Sequence, residues 1–144
     1  MEHIRIRELD AADADDIADI YAAIVRKPVD VGFKALIEKH ARSESDICFV
    51  AETDGRVIGF MISYILTFGF GIEKSAWIAT LGVDPDHMGQ GIGERLAKAI
   101  FQLYQQMDIS RVYTSVRWDS TDLLSFFKTL GFDRSKFINL KKDL

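Results

Sequence analysis

The chain has 144 residues, with 18 Lys and Arg against 22 Asp and Glu for a formal net charge of −4, and 48% of its residues are apolar. That is one domain's length of sequence, able to bury about 68–70% of its unfolded surface without a disulfide or metal staple. The apolar content excludes a disordered chain, and the acidic balance argues against a protein that grips phosphate backbones, so nucleic acid is not an expected partner.

The chain opens Met1-Glu2-His3-Ile4-Arg5, without the basic start, apolar core and small-residue cleavage site of a signal peptide. The expected compartment is the cytoplasm. Ile4-Arg5-Ile6-Arg7 alternates as a half-buried strand does. Ile17, Ile20, Tyr21, Ile24 and Val25 then recur at helical spacing. Asp10, Asp13, Asp15 and Asp16 gather at the start of that helix, and Arg26 and Lys27 close it before Pro28, a placing of charge that suits the helix dipole. Val29, Phe33, Leu36, Ile37 and His40 give a second short helix ending near Arg42, with His40 a packed or edge residue rather than a ligand.

Two strands follow, Ile47 to Thr53 and Arg56 to about Phe68, joined by Asp54-Gly55 as an antiparallel hairpin. The single cysteine, Cys48, lies in the apolar run Ile47-Cys48-Phe49-Val50-Ala51 and reads as a small buried hydrophobe. A catalytic thiol would want a cationic neighbourhood and a His partner, and nothing in the sequence hints at either. Val57 through Ile72 carries no charge, but it is shorter than the ~20 residues of a membrane-crossing helix and contains Gly59, Gly69 and Gly71. It reads as buried strand, and no membrane is expected as a partner.

A third strand of this group, Ser75 to Val83, ends at Asp84-Pro85. A glycine-rich loop then opens a long helix that carries Ile92, Leu96, Ile100, Leu103 and Met107 at helical spacing. Val112 to Trp118 is a further compact strand. Asp119-Ser120-Thr121 supplies cap chemistry for a short helix through Leu130, Gly131 stops it, and Phe132 to Leu140 reads as a final strand. The order gives a single α/β (α+β) domain over residues 1–144, a mixed central sheet of about six strands flanked by about four helices.

The informative segment is Gly89-Gln90-Gly91-Ile92-Gly93, between a strand and a helix N-terminus. Its glycines leave backbone N–H groups open to close approach, and the helix start adds unsatisfied donors and a positive dipole end. A phosphate or pyrophosphate fits there on physical grounds. Gly93 is followed by Glu94 and Arg95, not by the Lys-Ser or Lys-Thr of a Walker A loop, and the third Gly of a dinucleotide fingerprint does not stand where that fold needs it.

The segment Ala79-Thr80-Leu81-Gly82-Val83-Asp84-Pro85-Asp86-His87-Met88-Gly89-Gln90-Gly91-Ile92-Gly93 resembles the acetyl-CoA motif of the GNAT superfamily of N-acetyltransferases. Val116-Arg117-Trp118-Asp119-Ser120, followed by Phe126-Phe127-Lys128-Thr129-Leu130-Gly131-Phe132, resembles that family's second cofactor motif. The likeness covers nearly all of the chain. It implies acetyl-CoA as cosubstrate, with the backbone of Leu81, Gly82 and Val83 along the pantetheine arm and the amides of Met88, Gly89, Gln90, Gly91, Ile92, Gly93 and Glu94 on the pyrophosphate. Ser120 takes the place of an Asn that often contacts pantetheine, and Phe127 that of a cofactor-side Tyr. Arg95 and Lys98 either reach the adenosine end or form a solvated helix face. No metal is implied.

Three departures stand out. Met88 replaces a Gln or Arg, Ala79 stands where some relatives carry a Glu base, and Phe127 replaces the Tyr that often protonates the departing thiolate. A thiol with a pKa of about 8.5 departs without simultaneous protonation, so loss of that acid costs up to about 10²- to 10⁴-fold in rate and does not abolish transfer. Glu73 is a candidate base and Tyr113 or Tyr64 a candidate hydroxyl, each equally a surface or sheet residue. Phe68-Gly69-Phe70-Gly71 with Trp77 suggests an aromatic wall at the acceptor, or else a core element or the contact of a homodimer.

The resulting expectation is direct transfer of an acetyl group to a primary amine on a small molecule, a peptide N-terminus or a Lys side chain. The net charge favours cationic acceptors such as polyamines. The rival readings are a non-catalytic acyl-CoA binding or sensing module, suggested by Ala79 and Phe127 together, and a membrane-associated interaction protein built on Val57 to Ile72.

Overall fold

β-Branched and aromatic residues concentrate in the segments that form strands in the computed structural model, which describes residues 3–67 and 73–144. The strands are β1 (Arg5–Glu8), β2 (Asp46–Thr53), β3 (Arg56–Leu66), β4 (Ser75–Val83) and β5 (Val112–Thr114). They form one sheet in sequential order, with antiparallel ladders between β1 and β2, β2 and β3, and β3 and β4. The Asp54-Gly55 hairpin is as expected: both residues hold positive φ, 51° and 74°, which matches the right-handed twist of the flanking strands. The helices are α1 (Ala14–Val25), α2 (Gly32–Arg42), α3 (Ile92–Gln106) and α4 (Thr121–Thr129). The chain divides into two units, Met1–Tyr113 and Thr114–Leu144.

In the first unit the sheet's two faces bury different helices. Cys48 lies opposite Ile62 and Val50 opposite Phe60, and these four pack with Ile17 and Ile20 of α1 and Ile37 of α2. Each such fully buried side chain contributes roughly 1.5–3 kcal/mol. α3 covers the other face, burying Ile92, Leu96, Ala97, Ile100 and Tyr104. Gly59 lets that helix come close, since a Cβ there would lie 2.9 Å from Ile92 Cγ2. Tyr104 is fully buried, and its hydroxyl lies 2.8 Å from Ser63 Oγ. Ser63 gives its only proton to the Ile47 carbonyl, so Tyr104 is the donor to Ser63 and no polar atom of the trio is stranded.

The acidic run before α1 does more than complement a dipole. Arg7 on β1 donates two hydrogen bonds of 2.8 Å to the carboxylate of Asp13 and one of 2.6 Å to Glu52 of β2. Asp13 also accepts the Asp10 N–H, and Asp10 in turn caps the short 3-10 turn Ala11–Asp13. Asp16 accepts the Val57 N–H at 3.1 Å, pinning the first turn of α1 to β3.

The second unit differs from expectation in three places. β5 stops at Thr114 rather than reaching Trp118, because a turn closed by Ser120 N–H on the Arg117 carbonyl begins and Trp118 is 87% exposed. Phe132 to Leu140 is not a strand: no ladder among the described residues takes up its backbone, so the sheet has five strands where about six were expected. Ser120 stands at the start of α4, where its carbonyl accepts the Leu124 N–H as the helix's first bond, but its side chain makes no cap bond. Gly131 does end that helix, at φ +91°.

The Arg7 clamp sets an acid limit on stability. Burial pushes the Asp13 carboxyl up, but the Arg7 hydrogen bonds and the Asp10 N–H outweigh it and hold the group below the ordinary carboxylate range. The folded state therefore binds this proton less readily than the unfolded chain, so the contribution is whole above the unfolded pKa of about 3.9 and is lost as pH falls through the lower folded value. Asp13→Asn is expected to lower stability near neutral pH by about 1.5–3 kcal/mol, the deficit against wild type shrinking below about pH 4. Urea denaturation across that range checks both the size and the sign.

Candidate active site

β4 carries the local irregularity on which the site is built. Its register against β3 runs Gly59 with Val83, Phe60 with Gly82, Met61 with Leu81 and Ile62 with Thr80, then jumps to Ser63 with Ile78, leaving Ala79 as an extra residue. A bulge of this kind reverses the side-chain alternation beyond it. Leu81 and Val83 share the α3 face, and Gly82 lies on the α1 face, where a Cβ would come within 2.9 Å of Ile24 Cδ1. Past the bulge, Trp77 pairs with Tyr64 and Ser75 with Leu66, which moves Trp77 and Ser75 to the α1 and α2 face. Ala79 itself is exposed.

At its C-terminal end β4 runs into Asp84, which is 6% exposed. Its N–H donates to the Ile58 carbonyl at 2.8 Å, and its carboxylate accepts the Asp86 N–H at 3.2 Å and Arg56 Nη2 at 3.2 Å, with His87 Nδ1 at 3.4 Å. Sequence reasoning assigned Asp84 no role, since its partners lie on β3 as well as on the next turn. The chain then passes through a 3-10 turn, Pro85–His87, to exposed Met88 and the glycine loop. Gly89 and Gly91 have φ of +81° and +75°, with no atom within 4 Å of an added Cβ at either. These two glycines are needed for backbone conformation, and they leave open space above the loop. Gly91 is the N-cap of α3, its carbonyl accepting the Arg95 N–H at 3.0 Å, so the amides of Ile92, Gly93 and Glu94 form the donor end of the helix. Open space, positive-φ glycines and a helix N-terminus together suit a phosphate group.

The neighbouring cations are committed elsewhere. Arg95 donates to the Ile4 carbonyl at 3.0 Å, and Lys98 pairs with Glu94 at 2.8 Å on the outer face of α3. Of the two readings of these residues, the helix face is the one the geometry supports.

On the α1 and α2 face the register aligns a row across three strands: Asp46 on β2, Tyr64 on β3 and Trp77 on β4. Tyr113 of β5 extends it, its ring stacked on Trp77 at 4.9 Å. His40 at the end of α2 places Nδ1 2.6 Å from Asp46 Oδ2, a hydrogen bond that the spacing of the two residues did not reveal. The indole N–H of Trp77 and the hydroxyl of Ser75 are buried without a hydrogen-bond partner among the described residues. Tyr113 and Tyr64 thus belong to one aromatic strip, while Glu73 is exposed ahead of β4. The Phe68-Gly69-Phe70-Gly71 wall lies outside the described residues.

In the second unit Ser120 begins α4, and Phe127 is 5% exposed, its ring edge-on to Phe126 at 5.2 Å and Phe132 at 5.0 Å. Phe127 brings no hydroxyl. Among the described residues no three His, Cys, Asp or Glu side chains gather to hold a metal ion, and no helix is long and apolar enough to cross a membrane.

Known proteins resemble the chain over most of its length. A profile of the Acetyltransferase (GNAT) family matches residues 14–132. The chain is 31% identical over 106 residues to a mycothiol acetyltransferase of Saccharomonospora viridis, covering 69% of this chain and 35% of that protein. It therefore spans about a third of that relative's length. It is 26% identical over 142 residues to an N-alpha-acetyltransferase of Sulfurisphaera tokodaii, covering 93% of this chain and 83% of the relative. Among solved structures, an aminoglycoside N-acetyltransferase AAC(6')-Iy in complex with CoA superposes with a TM-score of 0.84 at 16% identity, covering 99% of this chain and 96% of that one. At that identity the likeness shows the fold.

Cys48 stays outside the chemistry. It is 7% exposed, its Sγ donates to the Ser63 carbonyl at 3.7 Å, and burial pushes its thiol up to about 12. A thiolate is therefore nearly absent at neutral pH, and with it any nucleophile for a covalent intermediate at this position. Iodoacetamide at about pH 8 is expected to leave the native protein unmodified and to alkylate Cys48 once urea unfolds it. Mass spectrometry reads both, and fast modification of the native chain would contradict the burial argument.

Proposed function

The chain belongs to the GNAT acetyltransferase family, and from that premise we propose that it transfers an acetyl group from acetyl-CoA directly to a primary amine. The observation that carries this reading is the open glycine loop at the N-terminus of α3, fed by a bulged strand whose residues Leu81 to Val83 lie just before it. In this proposal the amides from Met88 to Glu94 hold the pyrophosphate and the backbone of Leu81, Gly82 and Val83 runs along the pantetheine arm, with Ser120 and Phe127 kept as cofactor-binding candidates. Both units then act as one domain over residues 1–144, a reading supported by a family match that runs through the boundary between them.

The chemistry asks little of side chains. A neutral amine attacks the thioester carbonyl, its C–N bond forms, the C–S bond breaks, and the amine's surplus proton passes to solvent or a base. A backbone N–H of β4 at Leu81 or Val83 steadies the developing oxyanion, which no side-chain substitution removes. Phe127 supplies no proton to the leaving thiolate, and a thiol of pKa about 8.5 leaves without one, at a rate penalty of up to about 10²- to 10⁴-fold. Small amines, peptide N-termini and Lys side chains are the acceptor classes, with acetyl-CoA the only cosubstrate.

CoA release from acetyl-CoA, followed with a thiol-reactive dye, is expected to depend on added amine. Gly91→Glu is expected to weaken acetyl-CoA binding by about tenfold or more, because a side chain at φ +75° is strained and its carboxylate opposes a phosphate at the helix end. Binding without turnover across a broad amine panel would turn the reading to an acyl-CoA sensing module. Absence of binding, or undiminished binding by Gly91→Glu, would sink both.

A further inference from the structure

The row Asp46, Tyr64, Trp77 ends, on its β2 side, in a cleft of about 340 Å³ lined among others by Glu8, His40, Glu44 and Asp46. Three carboxylates and one imidazole meet there, with apolar walls from Leu103 and Met107. Asp46 uses only Oδ2 on His40; Oδ1 has no hydrogen-bond partner among the described residues. A carboxylate oxygen left open in a cleft with two further carboxylates is suited to a positive charge.

The β4 end of the row has the opposite character. Trp77 offers a buried indole N–H that donates only and cannot bond an ammonium, while the Ser75 hydroxyl, 2% exposed and also unpartnered, accepts an amine N–H. Together they suit an uncharged nitrogen. Between the two ends lie aromatic faces, Tyr64 and then Trp77 stacked on Tyr113, which favour alkyl chains and cations over bulky polar rings.

We propose that the acceptor is a slender alkyl dication: one amine, in its neutral form, reacts beside β4, while a second, charged nitrogen rests at Asp46 with the carbon chain along Tyr64 and Trp77. β2 and β4 are two strand spacings apart, so the nitrogens are separated by roughly 10 Å. The proposal rests on the transferase reading for its reacting end, and on the row and cleft alone for its charged end.

Two measurements separate those dependences. In the first, kcat/KM with acetyl-CoA is compared among hexylamine, putrescine, hexamethylenediamine, spermidine, a neutral-chain peptide N-terminus and kanamycin. The long diamines are expected to exceed hexylamine by about tenfold or more through KM, and Asp46→Asn is expected to bring that ratio close to one, with Glu44→Gln lowering it two- to threefold. In the second, which needs no turnover, binding of hexyltrimethylammonium, charged at one end only, is measured by calorimetry. It is expected to bind the wild type and to bind Asp46→Asn about tenfold more weakly, with acetyl-CoA binding and far-UV circular dichroism reporting that each variant is folded. Equal rates for hexylamine and the diamines, a preference that survives in folded Asp46→Asn, kanamycin or the peptide as the best acceptor, or no hexyltrimethylammonium binding would each overturn the dication. No amine turned over while hexyltrimethylammonium binds in an Asp46-dependent way would instead overturn the transferase reading and keep the charged site.

Discussion

The register of β4 against β3 shifts by one residue at Ala79, and both halves of the candidate site depend on that shift. Without the extra residue, Trp77 and Ser75 would follow Leu81 and Val83 onto the face covered by α3, and the aromatic strip would be core. With it, one strand presents backbone beside the glycine loop at its C-terminal end and aromatic side chains to the opposite face at its N-terminal end. A bulge lets a strand serve two ligand parts that approach from different sides of the sheet, which a regular ladder cannot do.

Charge is divided along the same line. The phosphate end relies on helix amides and positive-φ glycines, since Arg95 is spent on the Ile4 carbonyl and Lys98 on Glu94. The proposed acceptor end relies on carboxylates, with Glu8, Glu44 and Asp46 around one cleft. On this proposal a chain of net charge −4 attracts an anion through fixed backbone dipoles and a cation through ionised side chains, without the two fields being read from its total charge.

Features set by neighbouring residues were legible from sequence. The Asp54-Gly55 hairpin, the stop of α4 at Gly131 and the glycine loop before α3 each follow from local backbone preference, and the structure has each of them. Features set by a distant partner were not. The bulge at Ala79 exists only as a mismatch between two strands, and the His40 pairing with Asp46 depends on how α2 is carried back to β2. Phe132 to Leu140 fails for the same reason in reverse: residues between a helix stop and the chain's end can suit a strand locally, but a strand forms only where a partner is aligned. Ser120 has the residue type of a cap without the bond.

Asp84 joins these themes. Its N–H is held by the carbonyl of Ile58, itself the extra residue of a second register shift in β3, and its carboxylate gathers Arg56, the Asp86 amide and His87. The glycine loop therefore starts from a post fixed to the β2–β3 hairpin and ends on the first turn of a fifteen-residue helix. Glycines already set at positive φ between two anchored ends have less freedom left to lose when a ligand arrives, so less of the binding free energy is spent on ordering the loop. The affinity of the loop for its anion is in this sense a property of a hairpin on another part of the sheet, and loosening that hairpin would be felt as weaker binding by residues it never touches.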